Sequence, residues 1–231
     1  MLEQHQRLCA RIGVTFLPML LIALAIAGFL QPPSPALTAQ EIQQLYLDNQ
    51  ARIRIGIWIA TAAAPLLAFY VAALSHLLRS ITQGPSPLAT AQTIVGSCLI
   101  LEFIFPQMVW QTAAYRANRS AEMIQMLNDV GWLCYVGVVG TAIAQMIIIA
   151  IVIFQDRRSE PLVPRWCAYL CLWSALGVAG GGFCIFVTSG PVAWNGLIAW
   201  WLLVVSFFIW MMTMTMQMIK VSHRMEKAQS A

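Results

Sequence analysis

The chain has 231 residues, of which 60% are hydrophobic and only 10% charged, with a formal net charge of +4. A soluble domain carries about 25% charged residues, so a water-soluble globule of this size is excluded as the whole fold, and lipid must solvate much of the surface. The positive charges sit at the ends of apolar blocks and form no continuous basic face, which argues against a nucleic-acid partner.

A bilayer-spanning helix needs about 20 apolar residues. The first such block runs over 14–30, behind Arg7 and Arg11. It exceeds the 7–15 apolar residues typical of a secretory signal, and Ala25-Ile26-Ala27 lies inside it, so an uncleaved first span is expected. Pro32, Pro33 and Pro35 end it. Thr38 and Glu41 fit a capping box for a short amphipathic helix to Gln50, with Ile42, Leu45 and Tyr46 on one face, lying in the membrane interface. The second span covers 53–78 and should kink at Pro65.

Gly84-Pro85-Ser86-Pro87 leads into a third span over 88–111. The fourth, 121–154, follows a polar loop at Arg116–Ser120 and has no proline to interrupt it. The fifth covers 165–188 and the sixth 194–219, joined by a tight turn at Ser189-Gly190-Pro191. The expected fold is all-α: one integral membrane domain of six helices. With the N-terminus inside, nine Lys and Arg (Arg7, Arg11, Arg79, Arg157, Arg158, Arg165, Lys220, Arg224, Lys227) face the cytoplasm. Four (Arg52, Arg54, Arg116, Arg119) face out. The positive-inside rule therefore places both termini in the cytoplasm, and the expected location is the inner (cytoplasmic) membrane of a bacterium. No internal repeat of the kind found in secondary transporters is visible.

Glu102 carries the most information. A carboxylate near mid-membrane costs about 2.5–3.5 kcal/mol on insertion scales and needs a partner, a proton or water. Pro106 cannot donate to the Glu102 carbonyl, so a carboxylate and a freed carbonyl share one turn. Glu122, Gln125 and Asp129 form a polar stripe at the head of the fourth span, with Asn128 and Trp132 beside it. The candidate ligand-binding residues are Glu102, Pro106, Trp110, Gln125, Asn128 and Asp129. Gln107, Gln111 and Tyr115 fall roughly opposite Glu102 on the third helix and suit hydrogen bonding between helices.

Most of the nine tryptophans read as interface anchors, including Trp110, Trp132, Trp194 and Trp200. Gly177, Gly180, Gly181 and Gly182 read as a close-packing face on the fifth helix. Cys167 and Cys171 share a helix face with no histidine nearby in sequence. Three histidines near chain ends of spans do not suit a haem or a di-iron centre, so no metal or cofactor is expected. The expected partners are the bilayer, a small lipophilic ligand, and a second copy or a membrane-complex partner. Three functions compete. The first is binding or transport of a small lipophilic molecule in an outward-facing cavity centred on Glu102. The second is a non-catalytic subunit or assembly factor of a larger membrane complex. The third is an intramembrane enzyme with Glu102 or Asp129 as acid or base, which lacks a second catalytic group in the sequence.

Overall fold

A computed structural model describes the backbone of residues 1–230 and the side chains of residues 1–228. The described chain is helical without strands, and six helical segments are long and apolar enough to cross a membrane: Leu2–Ala27, Ala39–Thr82, Pro87–Tyr115, Ala121–Gln155, Arg165–Phe186 and Leu197–Ala228.

The first segment is two helices, α1 (Leu2–Val14) and α2 (Phe16–Ala27). Pro18 has no N–H for the Val14 carbonyl, and the helix bends at Thr15, whose hydroxyl donates to Ile12 O at 2.6 Å. Gly28, at φ +77°, closes α2 in the left-handed conformation, with Phe29 N donating to Leu24 O at 2.8 Å. The first span therefore stops at Ala27, short of Leu30.

The capping box at Thr38 forms: Glu41 N donates to Thr38 Oγ1, and Thr38 N donates to Glu41 Oε2. The helix it starts is not a separate short one. It is the head of α3 (Ala39–Ala63), which is followed after a break at Ala64-Pro65 by α4 (Leu66–Thr82). Pro65 cannot donate to the Thr61 carbonyl, which accounts for the break. The third segment, α5 (Pro87–Tyr115), starts at a Ser86 cap and continues through Pro106.

The fourth segment departs from the expectation of one unbroken helix. It divides into α6 (Ala121–Gly137) and α7 (Gly140–Gln155), with Val138 extended and Val139 leading into the second helix. The fifth and sixth segments are irregular as well. Helix α8 (Arg165–Ala179) tightens into a 3₁₀ turn over Gly180–Phe186, and α9 (Leu203–Ser230) is preceded by a wide π turn over Leu197–Leu202. Tertiary contact explains the clustering of these irregularities. A Cβ at Gly181 would lie 2.6 Å from the Val136 carbonyl oxygen, and one at Gly180 would lie 2.6 Å from the Ile198 side chain. The glycines thus let three backbones meet where side chains would hold them apart.

At the end of the bundle that carries both termini, α1 packs on α4 and α9. Ser222 Oγ donates to Glu3 O at 2.7 Å, Arg7 pairs with Glu226 at 2.8 Å, and His76 Nε2 lies 3.5 Å from the Glu3 carboxylate. At the same end, buried Asp156 accepts from Leu162 N, Arg158 N and Arg158 Nη1, and Arg158 Nη2 donates to Ser80 O. This knot fixes the connection between the fourth and fifth segments.

At the opposite end, side-chain amides and indoles clamp loop carbonyls. Trp194 Nε1 donates to Pro33 O at 2.8 Å and Trp200 Nε1 to Leu30 O at 2.9 Å. Gln50 donates to Ala114 O, Gln43 to Arg119 O, and Gln111 to Arg54 O. Trp110, Trp132, Trp194 and Trp200 are therefore not interface anchors. All four are buried, and Trp110, Trp132 and Trp200 join Phe29, Tyr46 and Tyr135 in one aromatic cluster. Aromatic pairs packed in this way contribute about 0.5–1.5 kcal/mol each beyond the area they bury.

Candidate functional site

Beneath that cluster lies a cavity of about 110 Å³ that opens through a wide mouth. Five of the six segments form its wall: Leu20, Leu21 and Leu24 from α2, Leu99, Glu102 and Phe103 from α5, Tyr135, Val138, Val139 and Ala142 from the fourth segment, Val178 from α8, and Trp200, Trp201, Val204, Phe207 and Phe208 from the sixth. Leu30 closes one side from the loop after α2. Glu102 is the one charged residue among those that line it.

The position of Glu102 follows from helix geometry. Leu99, Glu102 and Phe103 recur at three- and four-residue spacing, so they share the face of α5 that meets the fourth segment. The carboxylate is half-buried. Thr141 Oγ1 donates to Glu102 Oε2 at 2.6 Å. Thr141 is the second residue of α7, directly after the break at Val138-Val139. The first turn of a helix leaves N–H groups without partners inside the helix and presents the positive end of the helix dipole. The break therefore creates a helix N-terminus inside the apolar zone, and the Glu102 carboxylate stands beside it. Non-helical backbone at membrane depth is tolerated where it borders a cavity, and Val138 and Val139 are themselves wall residues.

The other expected binding residues go elsewhere. Pro106, one turn beyond Glu102, is buried within α5. Trp110 sits in the aromatic cluster, with ring centroids 4.4 Å from Trp132, 5.2 Å from Tyr135 and 5.3 Å from Phe29. Gln125 Nε2 donates to Leu37 O at 3.2 Å and ties α6 to the loop before α3. Asn128 Oδ1 accepts from Tyr46 OH at 3.3 Å and from Trp132 Nε1 at 3.2 Å, while its amide donates to Asp129 Oδ1. None of these five lines the cavity. They build the polar and aromatic layer next to it, and Tyr135 and Trp200 belong to both, since each lines the cavity and touches the cluster.

Sequence reasoning passed over Phe103, Tyr135, Thr141, Trp200, Phe207 and Phe208. A signal existed for Thr141. Between Val138 and Phe154 the only polar side chains are Thr141 and Gln145, four residues apart and so on one helix face. Gln145 is buried against Gly96, where a Cβ would lie 2.6 Å from its Nε2. Its amide, like those of Gln92 and Gln107, has no hydrogen-bond partner within the protein. Among the described residues no three His, Cys, Asp or Glu side chains come together as a metal site. Cys167 and Cys171 are both buried and unbonded. Trp173 is exposed on the outside of the bundle, and Trp210 is packed against Tyr70 and Phe207. No protein-family model, no curated protein and no solved structure matches this chain.

Proposed function

We propose that this integral membrane protein binds, and in moving it transports, a small lipophilic molecule held in the Glu102 cavity. One observation carries the reading: an apolar cavity that opens at the side of the bundle has a single carboxylate on its wall. Ligand sites are concave and mostly apolar, with few polar groups to fix orientation. An intramembrane carboxylate that only filled space would be replaced by an apolar side chain at a gain of about 2.5–3.5 kcal/mol. Thr141 orients the carboxylate and the α7 N-terminus offsets part of its charge, both without closing it off from the cavity.

In this reading both termini are cytoplasmic, by the charge bias of the connecting segments. The aromatic cluster and its amide clamps then lie toward the outer face, between the cavity and water. The test is ligand retention in lipid nanodiscs. Bound lipophiles are identified by mass spectrometry for the native chain, for Glu102→Gln, and for Ala142→Trp, which puts an indole into the cavity. Both substitutions should empty the site while the helix content is retained. A ligand complement identical in all three chains would remove the proposal. Recovery of the chain only in complex with a second protein, with the cavity empty, would favour the assembly-subunit reading instead.

A further inference from the structure

We infer that the ligand of this cavity is a lipophilic organic cation: an apolar body bearing one positive centre. The inference rests on the binding reading above and narrows its substrate class.

Three features select that class. First, the wall carries one negative charge and no positive one, since no Lys, Arg or His lines it. An anion would meet Glu102 without a compensating cation, and like charges at close range in a medium of low dielectric repel strongly. Second, six aromatic side chains, Phe103, Tyr135, Trp200, Trp201, Phe207 and Phe208, line the same space. Ring faces are the negative pole of the aromatic quadrupole and attract cations. Third, the wall offers few polar groups besides the carboxylate, namely the Tyr135 hydroxyl and the Trp201 indole N–H. The Thr141 hydroxyl donates to Glu102 and the Trp200 indole N–H donates to Leu30 O. A neutral ligand with several polar groups would leave them unpaired in an apolar enclosure, at a cost for each. A single cationic centre against the carboxylate, with its apolar remainder among leucines and rings, pairs the one acid of the wall and buries no further polar group of the ligand.

The placement of Glu102 at the N-terminal turn of α7 adds to this. The dipole there supports the carboxylate form before any ligand arrives. A ligand cation would supply the counterion that the wall itself lacks.

The experiment uses the full chain in nanodiscs of zwitterionic lipid, with equilibrium dialysis against lipid-only discs. The probes are tetraphenylphosphonium and tetraphenylborate, alike in shape and opposite in charge, and neutral triphenylmethanol. The phosphonium should bind at least about tenfold more tightly than the borate. Glu102→Gln should weaken the phosphonium at least about tenfold and shift the neutral probe by less than about twofold. Glu102→Asp retains the charge and should keep the preference for the phosphonium, which tests the same point should the glutamine variant fail to fold. Equal binding of the two ions, tighter binding of the borate, or an equal loss of all three probes in Glu102→Gln would overturn the cation assignment and leave the lipophile reading in place. Binding of none of the three by the native chain would remove both.

Discussion

Replacing Gly56 with alanine tests the packing of the first two segments most sharply. On helix propensity alone the change should stabilise α3 by about 1 kcal/mol. The structure predicts the opposite sign. An alanine Cβ would lie 2.6 Å from Ala27 N and 2.8 Å from Ala27 Cβ, and it would press on the Ala23 carbonyl oxygen. Two of these three neighbours are backbone atoms of α2, which cannot rotate aside as a side chain can. To reach ordinary van der Waals distance α2 must withdraw by roughly 1 Å, and a gap of that order forfeits a quarter to a half of each contact along the face. Overpacking of this kind costs about 1–3 kcal/mol, and immobile backbone places this case at the upper end. Set against the propensity gain, the net loss is about 2 kcal/mol. Gly140→Ala is the control, because a Cβ there meets nothing within 4 Å. Equilibrium unfolding in mixed micelles, titrated with denaturing detergent and followed by helical circular dichroism, measures both. If Gly56→Ala is as stable as Gly140→Ala, the close approach of α2 and α3 is wrong.

Other outcomes follow from the polar clamps and the site. Asn128→Leu strands the Tyr46 hydroxyl and the Trp132 indole N–H, and should lower unfolding stability by about 1–3 kcal/mol for each buried group left unpaired. Asp156→Ala frees the N–H groups of Arg158 and Leu162 together with a guanidinium, and should cost about 1.5–3 kcal/mol. Its effect should appear in hydrogen exchange as lost protection at Arg158 and Leu162, with α3 unaffected. Trp200→Phe keeps the ring and removes the bond to Leu30 O, so it should cost about 1 kcal/mol and raise exchange in the loop after α2. Thr141→Val preserves shape and removes the donor to Glu102, so in the dialysis assay it should weaken phosphonium binding less than Glu102→Gln does.

The features legible in the sequence were those with local causes. Apolar blocks of spanning length gave six segments, Pro65 gave the break before α4, and Thr38 with Glu41 gave a helix start, because each depends on residues adjacent in the chain. The break at Val138-Val139 has no proline to announce it. It coincides with the approach of Gly181 to the Val136 carbonyl, 45 positions away in the chain, which no window of local periodicity contains. The site divided the same way. Glu102 was conspicuous because its cost in a bilayer is intrinsic to the side chain. Its hydroxyl partner and its aromatic neighbours come from other segments and acquire their roles only through packing. Conversely, Gln125, Asn128 and Asp129 stood out as ligand-binding candidates because a polar stripe reads the same whether it faces a ligand or ties segments together. Here Gln125 bonds the loop at Leu37 O, and Asn128 joins Tyr46 of α3 to Trp132 of α6.

The seam between α1 and α9 has a consequence for how the protein comes into being. Glu3 and Arg7 take their partners at Ser222 and Glu226, at the opposite extreme of the chain. During synthesis the first helix is made and inserted long before its partner exists, and it must wait through five further insertions with a buried-to-be polar face still wet. Contacts between distant parts of a chain form late and slow assembly. Closure of the bundle thus waits for the segment that carries Ser222 and Glu226, and a nascent chain stalled before Ser222 would hold its earlier spans in the membrane without the contacts that join them.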